Sequence, residues 1–119
     1  MRSLDQLLAM PGVVFLLLLV AAILEVLGDA FFQSVVHRSS GWSRWIFLAA
    51  GGGTLSLYGL GVNLPRWDFG KLLGVYVVFF FVVAQVVARV RFNQPISRPT
   101  LAGGFMIVAG GAIISFWKG

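Results

Sequence analysis

Cysteine is absent from this chain of 119 residues, and His37 is its one histidine. Without thiols the chain forms no disulfide and no thiolate metal site, and one imidazole is too few for a histidine-based metal cluster. The motifs GxxxxGKS/T, GxSxG and HExxH are also absent, and with them the common signatures of nucleotide hydrolysis, serine hydrolysis and zinc proteolysis. We therefore expect no enzymatic activity, no metal and no cofactor.

Charged residues are also scarce. They make up 11% of the chain, whereas hydrophobic residues make up 59%; typical soluble domains are about 25% charged and 45–50% apolar. Four apolar segments, at about 11–35, 44–64, 70–90 and 99–117, match the ~20 residues that a helix needs to cross a bilayer core. Because a backbone in lipid must satisfy its own hydrogen bonds, the sequence predicts an all-α integral membrane protein. Residues 1–119 are expected to form a single four-helix transmembrane domain.

The N-terminal segment has two interpretations. Arg2 followed by an apolar run is typical of a cleaved signal peptide. The segment, however, continues through Glu25 and Asp29, and three more predicted spans follow it. We therefore expect residues 1–10 to be a short amphipathic lead-in and residues 11–35 to be a retained first helix.

The basic residues fall in the connectors and at the predicted helix ends, where lipid phosphates lie. The net charge of +5 therefore does not indicate nucleic-acid binding. Lys and Arg mark the cytoplasmic side of a membrane protein, but here they are almost evenly divided between the two sides. One side carries Arg2, Arg66, Lys71 and Lys118, and the other carries Arg38, Arg44, Arg89, Arg91 and Arg98. This balance predicts insertion in both orientations, which allows an inverted pair of copies; a fixed orientation is the alternative.

Two acids interrupt the first apolar span. Glu25, Asp29 and Gln33 recur every four residues, so a helix with ~3.6 residues per turn places them in one polar stripe. A charge near the bilayer centre costs roughly 2.5–3.5 kcal/mol on insertion scales, and intramembrane acids are therefore usually functional. Glu25 is interpreted as a carboxylate that exchanges a proton for a cation, against the alternative of a permanently protonated or paired acid. Asp29 is either a second ligand or the ion-pair partner of Lys71 or an arginine.

The remaining three spans differ in their content of small and aromatic residues. The second span is rich in glycine, which permits close helix packing or bending. In the fourth span the glycines recur at seven-residue intervals, which predicts a close-packing seam; the two pairs are Gly103 with Gly110 and Gly104 with Gly111.

Tyr76 can stack on a cation and hydrogen-bond Glu25. Lys71 is either an end charge that reaches the membrane surface or a partner of an acid. Tyr58, in the second span, is equally consistent with helix packing and with substrate contact.

Four features occur in order along the chain. LEVLG at 24–28 is similar to a first-helix signature of an acid followed by Val-Ile-Gly, and Gly70 stands where a third helix opens with glycine. FNQPI at 92–96 is similar to a Phe-Gly-Gln-Arg-Leu connector. The last feature is a proline and two glycines in the fourth helix, here Pro99, Gly103 and Gly110. Together they resemble the small multidrug resistance transporters of the drug/metabolite transporter superfamily.

The resemblance implies an antiparallel homodimer, dimerised through Gly103 and Gly110. It implies that Glu25 is shared between protons and a cationic substrate, and that Tyr76 contacts the substrate. The chain departs from the family pattern at three places: Asp29 replaces a small hydroxyl residue, Leu73 replaces an aromatic, and VFF at 78–80 replaces a Gly-x-Gly. The chain therefore resembles a divergent member more than a drug exporter.

The leading hypothesis is a proton-coupled secondary transporter, an antiporter or exporter, of a small cationic substrate. It would act as a homodimer in the lipid bilayer of the cell inner (plasma) membrane. The predicted substrate and proton site comprises Glu25, Asp29 and Tyr76, with Gln33 and Lys71 as possible members. The alternatives are a lipid or lipid-linked sugar translocator and an accessory membrane subunit that transports nothing.

Overall fold

The computed structural model describes residues 3–38 and 40–118; Arg2 of the predicted lead-in and Ser39 of the first connector lie outside this part. The helices of this part are α1 (Leu4–Leu8), α2 (Pro11–His37), α3 (Trp42–Val62), α4 (Phe69–Arg91) and α5 (Arg98–Phe116). The last four are long and apolar enough to cross a membrane. The prediction of an all-helical, multi-pass membrane protein with four long apolar helices is confirmed.

The helix ends lie close to the predicted span ends because local signals set them. Pro11 occupies the first turn of α2, where its missing N–H leaves no hydrogen bond unmade. The Ser97 hydroxyl caps α5 by accepting a hydrogen bond from the Thr100 N–H at 3.3 Å. Gly41, with φ of +62°, precedes α3, in a backbone conformation that glycine adopts without steric cost.

The four long helices form a thin layer. α2 lies between α3 and α4, and within the described part of the chain the backbone of α5 packs only against α4. The molecule measures 52 × 41 × 22 Å, with a radius of gyration of 16.2 Å. A compact globular domain of this length has a radius of gyration of about 13–14 Å. The layer therefore leaves both of its faces open.

The interior of the layer is the contact between α2 and α4. Val14 and Leu18 of α2 are fully buried, and they pack in one cluster with Leu72 and Val75 of α4. Alanines continue this face of α2, since Ala22 is also fully buried. Their small side chains bring the two backbones close together at the level of the acidic stripe.

Glycines set the other two helix contacts. Gly28 of α2 faces Gly51 of α3, and a Cβ atom on Gly51 would lie 3.2 Å from the Gly28 carbonyl oxygen. On α5, a Cβ atom on Gly104 would lie 2.7 Å from the Phe81 ring, and one on Gly111 would overlap the Val78 side chain. Side chains at these positions would push the helices apart, so these glycines allow the layer to close.

Candidate functional site

Glu25 lies at the contact of α2 with α4. Its side chain is half-buried, and the Tyr76 hydroxyl of α4 donates a hydrogen bond to Glu25 Oε1 at 2.7 Å. Tyr76 is 4% exposed. It sits one helical turn after the buried Leu72, on the face of α4 that packs against α2. The structure therefore brings together two of the predicted site residues, and the hydroxyl holds the carboxylate in place.

Among the described residues, no Lys or Arg side chain hydrogen-bonds to Glu25. Its hydrogen-bond partner is neutral and keeps its own proton, so the carboxylate oxygens are not neutralised by a fixed positive charge. The Glu25 carboxylate is thus held at the contact of two apolar helices by a neutral donor.

Tyr58 of α3 completes an aromatic group at this site. Its ring stacks on the Tyr76 ring, with centroids 5.5 Å apart and planes inclined by 30°. From the sequence alone, Tyr58 was equally consistent with helix packing and with substrate contact. A signal for its position was present, because Gly51, Leu55 and Tyr58 follow helical spacing on one face of α3, and the first two pack against Gly28 of α2.

Asp29 and Gln33 have different surroundings from Glu25. Both are exposed, and both line a groove of about 230 Å³ on one face of the layer. The opposite wall comes from α4 and the connector after it, chiefly Phe80, Ala84 and Gln94. The polar stripe is therefore continuous along α2, but its members have different surroundings: Glu25 is hydrogen-bonded by a tyrosine, and Asp29 and Gln33 line an open groove. We call this side of the layer the acid face.

Lys71 does not join the acids. Its ammonium group lies 4.9 Å from the Trp67 ring centroid, at the start of α4. The α4 wall of the Asp29 groove begins at Phe80, and the nine residues of helix from Lys71 to Phe80 span about 14 Å. Among the described residues of one protomer, the suggested ion pair between Lys71 and Asp29 is therefore not formed.

The two glycine pairs of α5 point in different directions. Gly104 and Gly111 pack against α4, as described above. Gly103 and Gly110 have no atom of a neighbouring element within 4 Å of an added Cβ atom. The first pair joins helices within the protomer, and the second lies on a surface that the protomer leaves open.

Comparisons of the chain with known protein families, with characterised proteins and with solved structures found no match.

Proposed function

We propose that the protein is a proton-coupled secondary transporter that exchanges protons for a small cation at Glu25. The observation that carries this proposal is the environment of Glu25, a carboxylate within a membrane-spanning helix whose hydrogen-bond partner is the Tyr76 hydroxyl. In an apolar medium the ionised carboxylate is disfavoured unless a proton or another cation neutralises it. Proton and substrate therefore compete for the same oxygens, and this competition couples their movement.

The open acid face supports a homodimer. Asp29 and Gln33 are exposed on a helix that crosses the membrane, and leaving such groups in contact with acyl chains is costly. A second copy over this face would shield them. Gly103 and Gly110 lie on the same side of the layer, to judge from the helix rotation of ~100° per residue, and would allow close approach of the copies. The resemblance to small multidrug resistance transporters agrees with an inverted pair.

The surroundings of Glu25 favour a cationic substrate. The Tyr58 ring, which is partly exposed and stacks on the buried Tyr76, offers a π surface to a cation, an attraction of roughly 0.5–2 kcal/mol. The groove of about 230 Å³ beside Asp29 lies one helical turn further along α2 and adds a second carboxylate. We therefore propose a small organic cation as substrate, and the proton-energised inner (plasma) membrane as the location.

Transport can be tested with purified protein in liposomes of acidic lumen. We expect uptake of small alkylammonium ions to depend on the pH gradient and to decline with the size of the ion. Glu25→Gln should abolish coupled uptake, because the amide keeps the shape but takes no proton. The matched control is Asp68→Asn, which changes an exposed carboxylate outside the long helices and should retain uptake.

Two results would contradict the proposal. If Glu25→Gln retains gradient-driven uptake, Glu25 is not the coupling site. If the wild-type protein moves no cation but accelerates the exchange of labelled lipid between leaflets, the lipid-translocator alternative takes its place. If the protein moves neither cations nor lipid, the accessory-subunit alternative takes its place.

A further inference from the structure

A second groove lies on the other face of the layer, between α4 and α5. Its volume is about 470 Å³, and its walls are almost wholly apolar, including Phe81, Val82 and Val86 of α4 and Leu101 and Phe105 of α5. Arg89 is the charged residue among those that line it. We call it the α4–α5 groove.

The α4–α5 groove and the open glycine pair occupy opposite sides of α5. With a rotation of ~100° per residue, Gly103 and Gly110 lie roughly opposite Leu101, Phe105 and Val108 around the helix. A dimer formed through those glycines therefore leaves the α4–α5 groove uncovered. Its occupant must be found outside the proposed dimer interface.

The depth of the groove matches one leaflet of a bilayer. It runs from Thr100 to Val108 along α5 and from Val90 back to Phe81 along α4. At ~1.5 Å per residue these segments span about 12–14 Å, close to half of a ~30 Å hydrocarbon core. The groove begins near the α4–α5 connector, whose basic residues are of the kind that lie beside lipid phosphates, and ends near the middle of both helices.

The charge at the connector end suits an anionic headgroup. Arg38, Arg44, Arg89, Arg91 and Arg98 all lie at this end of the long helices, and the sequence from 69 to 118 contains no Asp or Glu. The Arg89 guanidinium donates one hydrogen bond, to Asn93 Oδ1 at 3.0 Å. A guanidinium carries five N–H donors, so donors remain for phosphate oxygens, which Arg binds well.

We propose that the α4–α5 groove binds one anionic glycerophospholipid, with an acyl chain along the groove and its phosphate at Arg89. The groove has the length of one leaflet and one charged end, as this molecule does. A further apolar recess of about 290 Å³ continues past Val108 into the other leaflet, and no charged residue lines it. We therefore assign lipid selectivity to the Arg89 end. The proposal is independent of the transport activity.

The test is native mass spectrometry of the full-length protein in detergent, with phosphatidylglycerol or phosphatidylcholine added in equal amounts. In detergent, a change in charge cannot act through membrane orientation. We expect one phosphatidylglycerol to be retained in preference to phosphatidylcholine. Arg89→Gln should weaken its retention by about tenfold, the size of effect that a lost charge-assisted hydrogen bond produces.

Arg91→Gln is the matched control. It removes the same charge two residues away, but Arg91 lines a cleft between α2 and α4 and not the α4–α5 groove. It should leave phosphatidylglycerol retention unchanged. Equal losses in the two variants would overturn the proposal, because they would show non-specific attraction to a basic surface. Equal retention of the two lipids by the wild-type protein would overturn it as well.

A second measurement tests occupancy of the groove itself. Val86→Trp places a large ring within the groove and should reduce lipid retention, whereas Met106→Trp, on an outward position of α5 that is 76% exposed, should not. A benzophenone side chain at Phe105 should crosslink to lipid in membranes. If it crosslinks to a second copy instead, the groove is a protein interface and the lipid proposal is wrong.

Discussion

The two faces of the helix layer differ in chemistry although the same helix, α4, contributes to both. On the acid face its side chains form a wall of the groove that Asp29 and Gln33 line. On the other face its valines and Phe81 line the apolar α4–α5 groove, with Arg89 at one end. The groove on the acid face thus contains a carboxylate, whereas the other groove is lined by apolar residues apart from Gln85, Thr100 and Arg89.

In the proposed homodimer, this difference would make each protomer one half of the site. A layer 22 Å thick buries few side chains completely, and it holds Glu25 by one hydrogen bond at a face that remains open. Three changes in the chain, ordered by the size of their expected effects, would break or sharpen the contrast between the two faces.

The largest effect is expected from the glycines of α5. Gly111→Ala places a methyl group against Val78, a β-branched residue with little rotamer freedom. It should destabilise the protomer by about 1–3 kcal/mol, as measured by unfolding in mixed micelles. Gly110→Ala, whose methyl group meets nothing within 4 Å, should leave unfolding unchanged and lower only the fraction of dimer. Equal destabilisation by both variants would contradict the inward and outward assignment.

An intermediate effect is expected from Tyr76→Phe. The ring remains to stack on Tyr58, but the donor to Glu25 is lost. A typical hydrogen bond contributes about 1 kcal/mol net, so cation affinity in the purified protein should fall by about fivefold. Equilibrium binding measures this directly. Unchanged affinity would show that the hydroxyl does not position the carboxylate for the substrate.

The smallest effect is expected from Asp29→Asn. Asp29 lines the groove, and among the described residues it accepts no tyrosine hydrogen bond of the kind that holds Glu25. Cation affinity should fall by only about threefold, roughly the effect of an ion pair without a fixed geometry, and gradient-driven uptake should persist. If uptake is lost as completely as in Glu25→Gln, the two acids act as one site and the distinction between them is wrong.

The hydropathy of the sequence was sufficient to predict the four long helices. Burying charge in lipid is costly, so the charged residues fall mainly in the short polar connectors between them. The helix ends in the structure are set by local signals at Pro11, Gly41 and Ser97. The contact between Tyr76 and Glu25 is a property of two helices 51 residues apart in sequence. Periodicity places each residue on a face of its own helix and does not say which faces meet, so this contact was only an expectation.

The two glycine pairs of α5 show the same limit of prediction from sequence, namely that helical spacing does not say which face meets a neighbour. Gly103 and Gly110 have the same seven-residue spacing as Gly104 and Gly111, and the sequence gives no reason to send one pair inward. The choice depends on the neighbouring helix, where Phe81 and Val78 cover one pair. Likewise, the separation of Lys71 from Asp29 depends on how α4 packs against α2, and the positions of the charged residues in the sequence do not determine that packing.

The most direct test of the account is whether cation binding releases protons from Glu25. The transported cation is added to purified protein in weakly buffered detergent solution, and the pH is recorded. The account predicts that the wild-type protein acidifies the solution in proportion to the cation bound, and that Glu25→Gln gives no change. Cation binding without proton release by the wild-type protein, or release that persists in Glu25→Gln, would contradict it.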